Sequence, residues 1–358
     1  MSVPVVPFEP HPWFRGGHAQ TIVGRFLPGP RVRLPARYHE VDADAGDRLV
    51  ILDSVPETWQ PGDPSALMVH GLAGCARSPY VRRVAARLMR LGIRAVRMNL
   101  RGAGPGFGAA RGIYHAGRTE DLRRVAEWLA HHARGSPIAL IGFSLGANLV
   151  LKLAAEAAQA PLEGLDCVLA ANPPLDLAAC CRHIQRPENR IYDRNFVRLL
   201  HAEVRRLHHA FPELGMLDLS RASTLYDFDE YYTAPRNGFA GAADYYARSS
   251  AGPLIPQIEI PGLVVHAADD PFIPVEPFYR IRFPANLALE LNSHGGHLGY
   301  FSRKRWGGDR RWLDARLAAW VAERWELVRA DRGHLAGRAI PPRIDLGGQD
   351  HHATRPSQ

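Results

Sequence analysis

Lysine is nearly absent: Lys152 and Lys304 are the only two in a chain whose Lys and Arg together number 44, so the net charge of +8 is an arginine charge. Those arginines are scattered over helical stretches, without a basic tract or interleaved aromatics, so the electrostatic footprint of a nucleic-acid binder is missing and no nucleic-acid partner is expected. GC-rich coding accounts for arginine without lysine. Long apolar runs are also missing. None approaches the roughly 20 residues of a membrane-spanning helix, and the prolines at Pro4 and Pro7 interrupt any signal-peptide core. Cysteine is sparse, and Cys75, Cys167, Cys180 and Cys181 show no C-x-x-C spacing. An adjacent pair makes an unusual disulfide, so reduced thiols and a cytoplasmic setting are expected. No H-E-x-x-H, Cys/His cluster or Gly-Lys-Ser/Thr loop occurs, which removes the familiar metal and P-loop signatures. The glycine-rich stretch from Gly102 to Gly108 contains Pro105, lacks G-x-G-x-x-G and is not followed by a helix start. It reads as a loop beside a pocket, not as a nucleotide cradle.

What is present is a strand, a sharp turn and a helix with a serine at the apex. An apolar run from Pro137 ends in Gly142-Phe143-Ser144-Leu145-Gly146, and the helix-forming run Leu149-Val150-Leu151-Lys152-Leu153 follows. Two glycines leave room for a crowded turn that lifts the serine hydroxyl clear of the sheet as a nucleophile. A serine nucleophile needs a base, and the base needs an orienting acid. Gly262-Leu263-Val264-Val265-His266 reads as a strand running into Asp269-Asp270-Pro271, which sets a carboxylate at a strand's C-terminal end, where open α/β sheets keep their chemistry. Asp270 is the expected acid, with Asp269 the alternative. The alternating stretch from Asn286 to Asn292 reads as a last strand and leads to His294-Gly295-Gly296-His297. His297 is the expected base and His294 a loop histidine beside it. A further strand ends at His70-Gly71-Leu72. The backbone N–H groups of Leu72 and Leu145 are the expected oxyanion hole, with His70 itself holding the loop. This chemistry requires no cofactor and no metal.

Together these residues resemble the YheT-like branch of the α/β-hydrolases over most of the chain, from about His18 to the final helix. The resemblance rests on His70-Gly71-Leu72-Ala73-Gly74 with Ser78-Pro79-Tyr80, on Asn99-Leu100-Arg101-Gly102, on Arg111-Gly112-Ile113-Tyr114-His115, and on the serine, acid and base loops above. Tyr231-Tyr232-Thr233-Ala234-Pro235 and Asp244-Tyr245-Tyr246 are similar to a lid-side segment of that branch. Ala19 departs from it, where relatives often carry leucine. The resemblance implies an α/β-hydrolase fold, a mostly parallel sheet with helices on both faces. It also implies a serine hydrolase acting on a small carboxylic ester, with short- to medium-chain acyl groups. Acyl transfer, lipid-like esters and a catalytically silent binding role are the alternatives.

The expected organisation is one domain over residues 1–330 with a lid insertion at about 173–250, and a disordered tail over 331–358. Tyr80 to Leu91 has helical spacing and stops at Gly92, a natural cap. Thr119 is expected to cap the next helix. In the insertion, Phe196, Leu200, Val204, Leu207 and Phe211 form one apolar stripe, with Arg194, Arg198, Arg205 and Arg206 largely off it. A lid helix over the acyl pocket is the expectation, and peripheral contact with a lipid surface stays open. Oligomeric state is not legible.

Overall fold

Eight strands form one sheet in the order β1-β2-β4-β3-β5-β6-β7-β8: β1 (Arg37–Asp42), β2 (Arg48–Ser54), β3 (Ser65–Val69), β4 (Arg94–Met98), β5 (Ile138–Phe143), β6 (Leu165–Ala171), β7 (Gly262–Ala267) and β8 (Leu287–Asn292). β2 pairs antiparallel with both β1 and β4, and every other pairing is parallel. The structure, a computed structural model, describes residues 7–27, 29, 33–306 and 309–335, with the side chains of 306 and 326–335 outside the description. The last helix runs on to Leu335, five residues into the stretch 331–358 expected to be a disordered tail; from 336 onward that tail lies outside the described residues.

The central strands β3 and β5 are buried throughout and carry apolar residues on both sides because helices cover both faces. Successive side chains alternate: Leu67 and Val69 of β3 join one core with Val96 and Leu140, while Ala66 and Met68 join the other with Ile141 and Phe143. The flanking helices are α1 (Gly17–Phe26), α2 (Pro79–Arg90), α3 (Thr119–His132) and α4 (Leu145–Glu156). Helix α2 stops as its sequence requires. Gly92 adopts φ +75°, its N–H donates to the Met89 carbonyl, and the Ile93 N–H donates to the Leu88 carbonyl, the paired bonds of a Schellman cap. The start of α3 differs from expectation. Thr119 is the first helical residue and is buried, and Arg118 stands at the cap position with no side-chain cap bond. Ion pairs from Arg118 to Asp44 and Asp121 fix this entry, a tertiary constraint that displaces the local capping preference.

Between β6 and β7 the single crossover is replaced by a helical insertion: α5 (Leu177–Ile184), α6 (Arg190–Ala210), α7 (Leu225–Phe228), a π-turn over Asp229–Thr233, α8 (Ala234–Arg236) and α9 (Ala242–Ser249). In α6, Val197, Leu200, Val204 and Leu207 are buried, Phe196 is half-buried and Phe211 falls just past the helix end. Arg194, Arg198, Arg205 and Arg206 are exposed. Asn148, four residues past the apex serine, ties the insertion to the sheet. Its amide donates to the carbonyls of Ala116 and Ser249 at 2.9 and 2.8 Å and accepts from the Ala251 N–H at 2.8 Å. The short helix α10 (Glu276–Arg280) precedes β8, and after β8 come a hairpin of β9 (Phe301–Trp306) and β10 (Asp309–Arg311) and the helix α11 (Trp312–Leu335).

Candidate active site

β3 leads to α2, which packs in one core, and β5 leads to α4, which packs in the other; such a switch point, at the strands' C-terminal ends, is the usual place for ligands in these sheets. Ser144 stands there, between β5 and α4, with φ +53° and ψ −122°. A non-glycine residue in this region is strained by about 1–3 kcal/mol. The turn is held because nothing larger fits around it. A methyl group on Gly142 would come within 2.3 Å of the Gly146 carbonyl oxygen, and one on Gly146 within 2.4 Å of the Val69 carbonyl oxygen. Ser144 is further fixed by its N–H, which donates to the Ala171 carbonyl at 2.9 Å.

The structure brings Ser144, His297 and Asp270 together. His297 Nε2 lies 2.9 Å from Ser144 Oγ, and Nδ1 lies 2.9 Å from Asp270 Oδ2. Asp270 is buried, and each oxygen is satisfied: Oδ2 also accepts from the Asn172 amide at 2.7 Å, while Oδ1 accepts from the N–H groups of Phe272 and Ile273 at 2.8 and 3.2 Å. Burial alone pushes this carboxyl up. His297, through its charge and its hydrogen bond, together with His266 and the Phe272 N–H, outweighs that and holds it below the ordinary aspartate value. The neighbouring Asp269 does other work. It accepts from the Gly296 N–H at 2.8 Å and lies 3.3 Å from His294 Nδ1, and burial raises its carboxyl.

His297 is steadied from three sides. Its own N–H donates to Thr21 Oγ1 at 2.8 Å, the Phe272 ring lies 4.3 Å from the imidazole, and the Asn172 amide donates to the Gly296 carbonyl at 3.1 Å. The N-terminal helix α1 packs so tightly on this loop that a methyl group on Gly296 would meet the Gly17 carbonyl oxygen at 2.2 Å. Sequence reasoning missed Thr21, Asn172 and Phe272, because nothing local marks them.

The turn after β3 lies against the serine: a methyl group on Gly71 would approach Ser144 Cβ to 2.9 Å. Among the described residues, the N–H groups of Leu72 and Leu145 have no protein acceptor. Leu145 opens α4, where the helix dipole favours negative charge. His70 holds the turn from below. Its Nε2 accepts from the Leu100 N–H at 3.1 Å and its Nδ1 donates to the Gly71 carbonyl at 2.8 Å. Burial keeps it neutral, with its pKa down at about 4 although the Gly71 contact pulls upward.

Above the serine is a cavity of about 210 Å³, mostly apolar, walled by Leu72 and Leu145, by Phe107 of the glycine-rich loop, and by Phe196, Leu200 and Leu207 of α6. Arg206 closes over the Phe107 ring at 3.5 Å. A strained serine, an imidazole and a buried carboxylate thus stand in hydrogen-bonded series beneath an apolar cavity.

The sequence profile described as "alpha/beta hydrolase fold" matches residues 66–304. The chain is 30% identical over 323 residues to the "Putative esterase YheT" of Escherichia coli, covering 88% of this chain and 92% of that protein. It is 28% identical to a monoacylglycerol lipase of Saccharomyces cerevisiae (68% of this chain, 57% of that one) and 29% identical to the phospholipase ABHD3 of Mus musculus (66% and 58%). Among solved structures, an esterase of Pyrococcus furiosus superposes with a TM-score of 0.52 at 14% identity, covering 83% of this chain and 97% of that one. This chain therefore belongs to the α/β-hydrolase fold family, in its YheT-like branch. Among the described residues, no helix is long and apolar enough to cross a membrane.

Proposed function

We propose that this chain is a serine esterase that cleaves carboxylic esters through a Ser144–His297–Asp270 triad, with the N–H groups of Leu72 and Leu145 as its oxyanion hole and short- to medium-chain acyl groups as its substrates. The observation that carries this reading is the continuous series from Asp270 Oδ2 to His297 to Ser144 Oγ, both links 2.9 Å, at the floor of an apolar cavity. Ser144 Oγ attacks the ester carbonyl carbon while His297 Nε2 takes the hydroxyl proton. The negative charge developing on the carbonyl oxygen meets the Leu72 and Leu145 N–H groups. The tetrahedral species collapses as His297 returns that proton to the alkoxy oxygen, so the alcohol leaves and the acyl group stays on Ser144. Water then attacks the acyl-enzyme, His297 takes its proton and passes it to Ser144 Oγ, and the carboxylic acid departs. Asp270 stays ionised throughout and supports the imidazolium. Helix α6 and its neighbours act as a lid that excludes water and contacts the acyl chain. The named esterase and lipase relatives support ester hydrolysis as the reaction.

The test is labelling with a fluorophosphonate probe, wild type beside Ser144→Ala, followed by p-nitrophenyl esters of two to sixteen carbons. Labelling should vanish in the variant, and kcat should fall by several orders of magnitude. A folded wild type that resists the probe, or a variant that turns over normally, overturns the assignment. A maximum at long chains would replace the short- to medium-chain substrate class.

A further inference from the structure

The turn from Gly71 to Gly74 has an unusual economy of backbone donors. The Gly71 N–H donates to the Tyr80 hydroxyl at 3.0 Å, the Ala73 N–H to the Tyr114 hydroxyl at 3.0 Å, and the Gly74 N–H to the Gly71 carbonyl at 3.0 Å. Leu72, lying between the two tyrosine-bound residues, keeps its N–H without a protein acceptor among the described residues. The Ala73 N–H belongs to the central peptide of this turn, the unit whose flip separates one turn type from another. Ala73 has φ +53°, a conformation that disfavours residues other than glycine. Something outside the turn must therefore hold that peptide, and the contact made to its N–H is the Tyr114 hydroxyl.

That hydroxyl has one proton. While accepting from Ala73 it donates to Glu203 Oε2 at 3.0 Å, and Glu203 lies on α6 of the helical insertion. The two anchors of the turn thus differ in origin. Tyr80 stands on α2 against the sheet, its ring tilted against Phe143 of β5 with centroids 4.9 Å apart. Among the described residues, the Tyr114 hydroxyl finds its acceptor on α6, in Glu203. Glu203 and Tyr114 both face the cavity, whose lining is otherwise largely apolar, and burial raises the Glu203 carboxyl even against the Tyr114 hydrogen bond. A half-buried carboxyl on an apolar wall is costly unless its partner repays it.

We infer that Glu203 and Tyr114 are positioning residues that couple the seating of α6 to the geometry of the oxyanion hole, through the series Glu203–Tyr114–Ala73 beside Leu72. With α6 seated, Tyr114 is fixed and the 72–73 peptide is held, which sets ψ of Leu72 and keeps in place the turn that carries the preceding 71–72 peptide, whose N–H is the Leu72 donor. With α6 displaced, Tyr114 loses its acceptor and the strained turn is free to relax. Neither residue touches the reacting atoms. The inference rests on the esterase reading and on Leu72 as an oxyanion donor.

The experiment compares Tyr114→Phe, Glu203→Leu and Glu203→Gln with wild type on p-nitrophenyl acetate and butyrate, with affinity for a trifluoromethyl ketone as a second readout. Removing one oxyanion donor costs about 100- to 1,000-fold in kcat, and a donor left in place but loosely held should cost about 10-fold. Tyr114→Phe and Glu203→Leu should lower kcat by that factor with KM within about twofold. Binding of the trifluoromethyl ketone, whose hemiketal oxygen occupies the oxyanion site, should weaken in step. Glu203→Gln, whose amide oxygen still accepts from Tyr114, should restore most of the activity. Equal kcat and equal ketone affinity in all four proteins overturn the coupling, as does a loss confined to KM. If Tyr114→Phe unfolds, the Glu203 pair alone decides, because both variants remove the carboxylate and only Gln keeps an acceptor for Tyr114. Fluorophosphonate labelling of wild type separates the two ideas: a labelled wild type with indifferent variants removes the coupling and leaves the esterase standing, whereas an unlabelled one removes both.

Discussion

Asp269 and Asp270 are chemically identical neighbours with different duties, and burial with hydrogen bonding decides which is which. Asp270 is fully enclosed, accepts four hydrogen bonds and sits 2.9 Å from the imidazole; Asp269 supports the Gly296 N–H from the other side of the loop. The proposed mechanism then makes unequal demands on them. Asp270→Asn should lower kcat on the order of 10⁴-fold, because an amide favours the wrong imidazole tautomer. Asp269→Asn removes charge but keeps an acceptor for Gly296, and its loss should stay within about tenfold. Steady-state kinetics on one p-nitrophenyl ester decides; comparable losses would mean that the second carboxylate shares the orienting role. This distinction was only partly open to sequence reasoning. The proline turn after Asp270 pointed to it, but Asn172, which donates to the carboxylate from 98 residues away, left no local mark.

At the scale of elements, legibility follows the range of the forces. The elbow of β5, Ser144 and α4 could be read because its causes are local: an apolar strand, two glycines and a helix former in succession. The cap of α3 could not, since Arg118 is fixed by Asp44 and Asp121 across the fold. The β9 strand was equally opaque: Arg303, Lys304 and Arg305 give it no apolar alternation. The same contrast separates two glycines in their response to substitution. Gly146→Ala drives a methyl group onto the Val69 and His70 carbonyl oxygens at 2.4 and 2.5 Å, so it should destabilise by about 3 kcal/mol or more and disturb the serine turn. Gly92→Ala meets no atom within 4 Å and bears only the left-handed φ of +75°, a cost of about 1 kcal/mol. Urea unfolding of the two variants measures the difference. Equal midpoints would mean that the packing around the elbow is not what holds it.

For the whole molecule, the buried histidines set the response to acid. Burial lowers His70 and His266 to about 4, and burial with nearby arginines and Lys152 lowers His115 to about 3. In the unfolded chain each titrates near pH 6.5. Between about pH 6.5 and 4 the unfolded chain binds protons that the fold refuses. These groups therefore contribute full stability above pH 6.5 and lose it as pH falls, each by about 1.4 kcal/mol per pH unit. Asp229 opposes one of them. Burial raises it to about 7, so its contribution is complete below the unfolded aspartate value and is lost as pH rises through 7. Net acid destabilisation between pH 6.5 and 4 is the expected result. His266→Phe, which keeps an aromatic ring against Phe278, should flatten the denaturation midpoint over that range; an unchanged slope would mean that His266 takes up its proton without unfolding.

The segment that backs the His297 loop lies ahead of the region matched by the family profile. Thr21 holds the His297 N–H, the Gln20 side chain bonds both the N–H and the carbonyl of Phe301, and Gly17 presses on Gly296, while the profile begins at residue 66. A minimal enzyme cut to the matched span would keep every reacting atom and discard the buttress beneath one of them. Trimming or fusing the chain ahead of residue 66 therefore changes how the proposed base His297 is held while leaving the proposed triad itself in place.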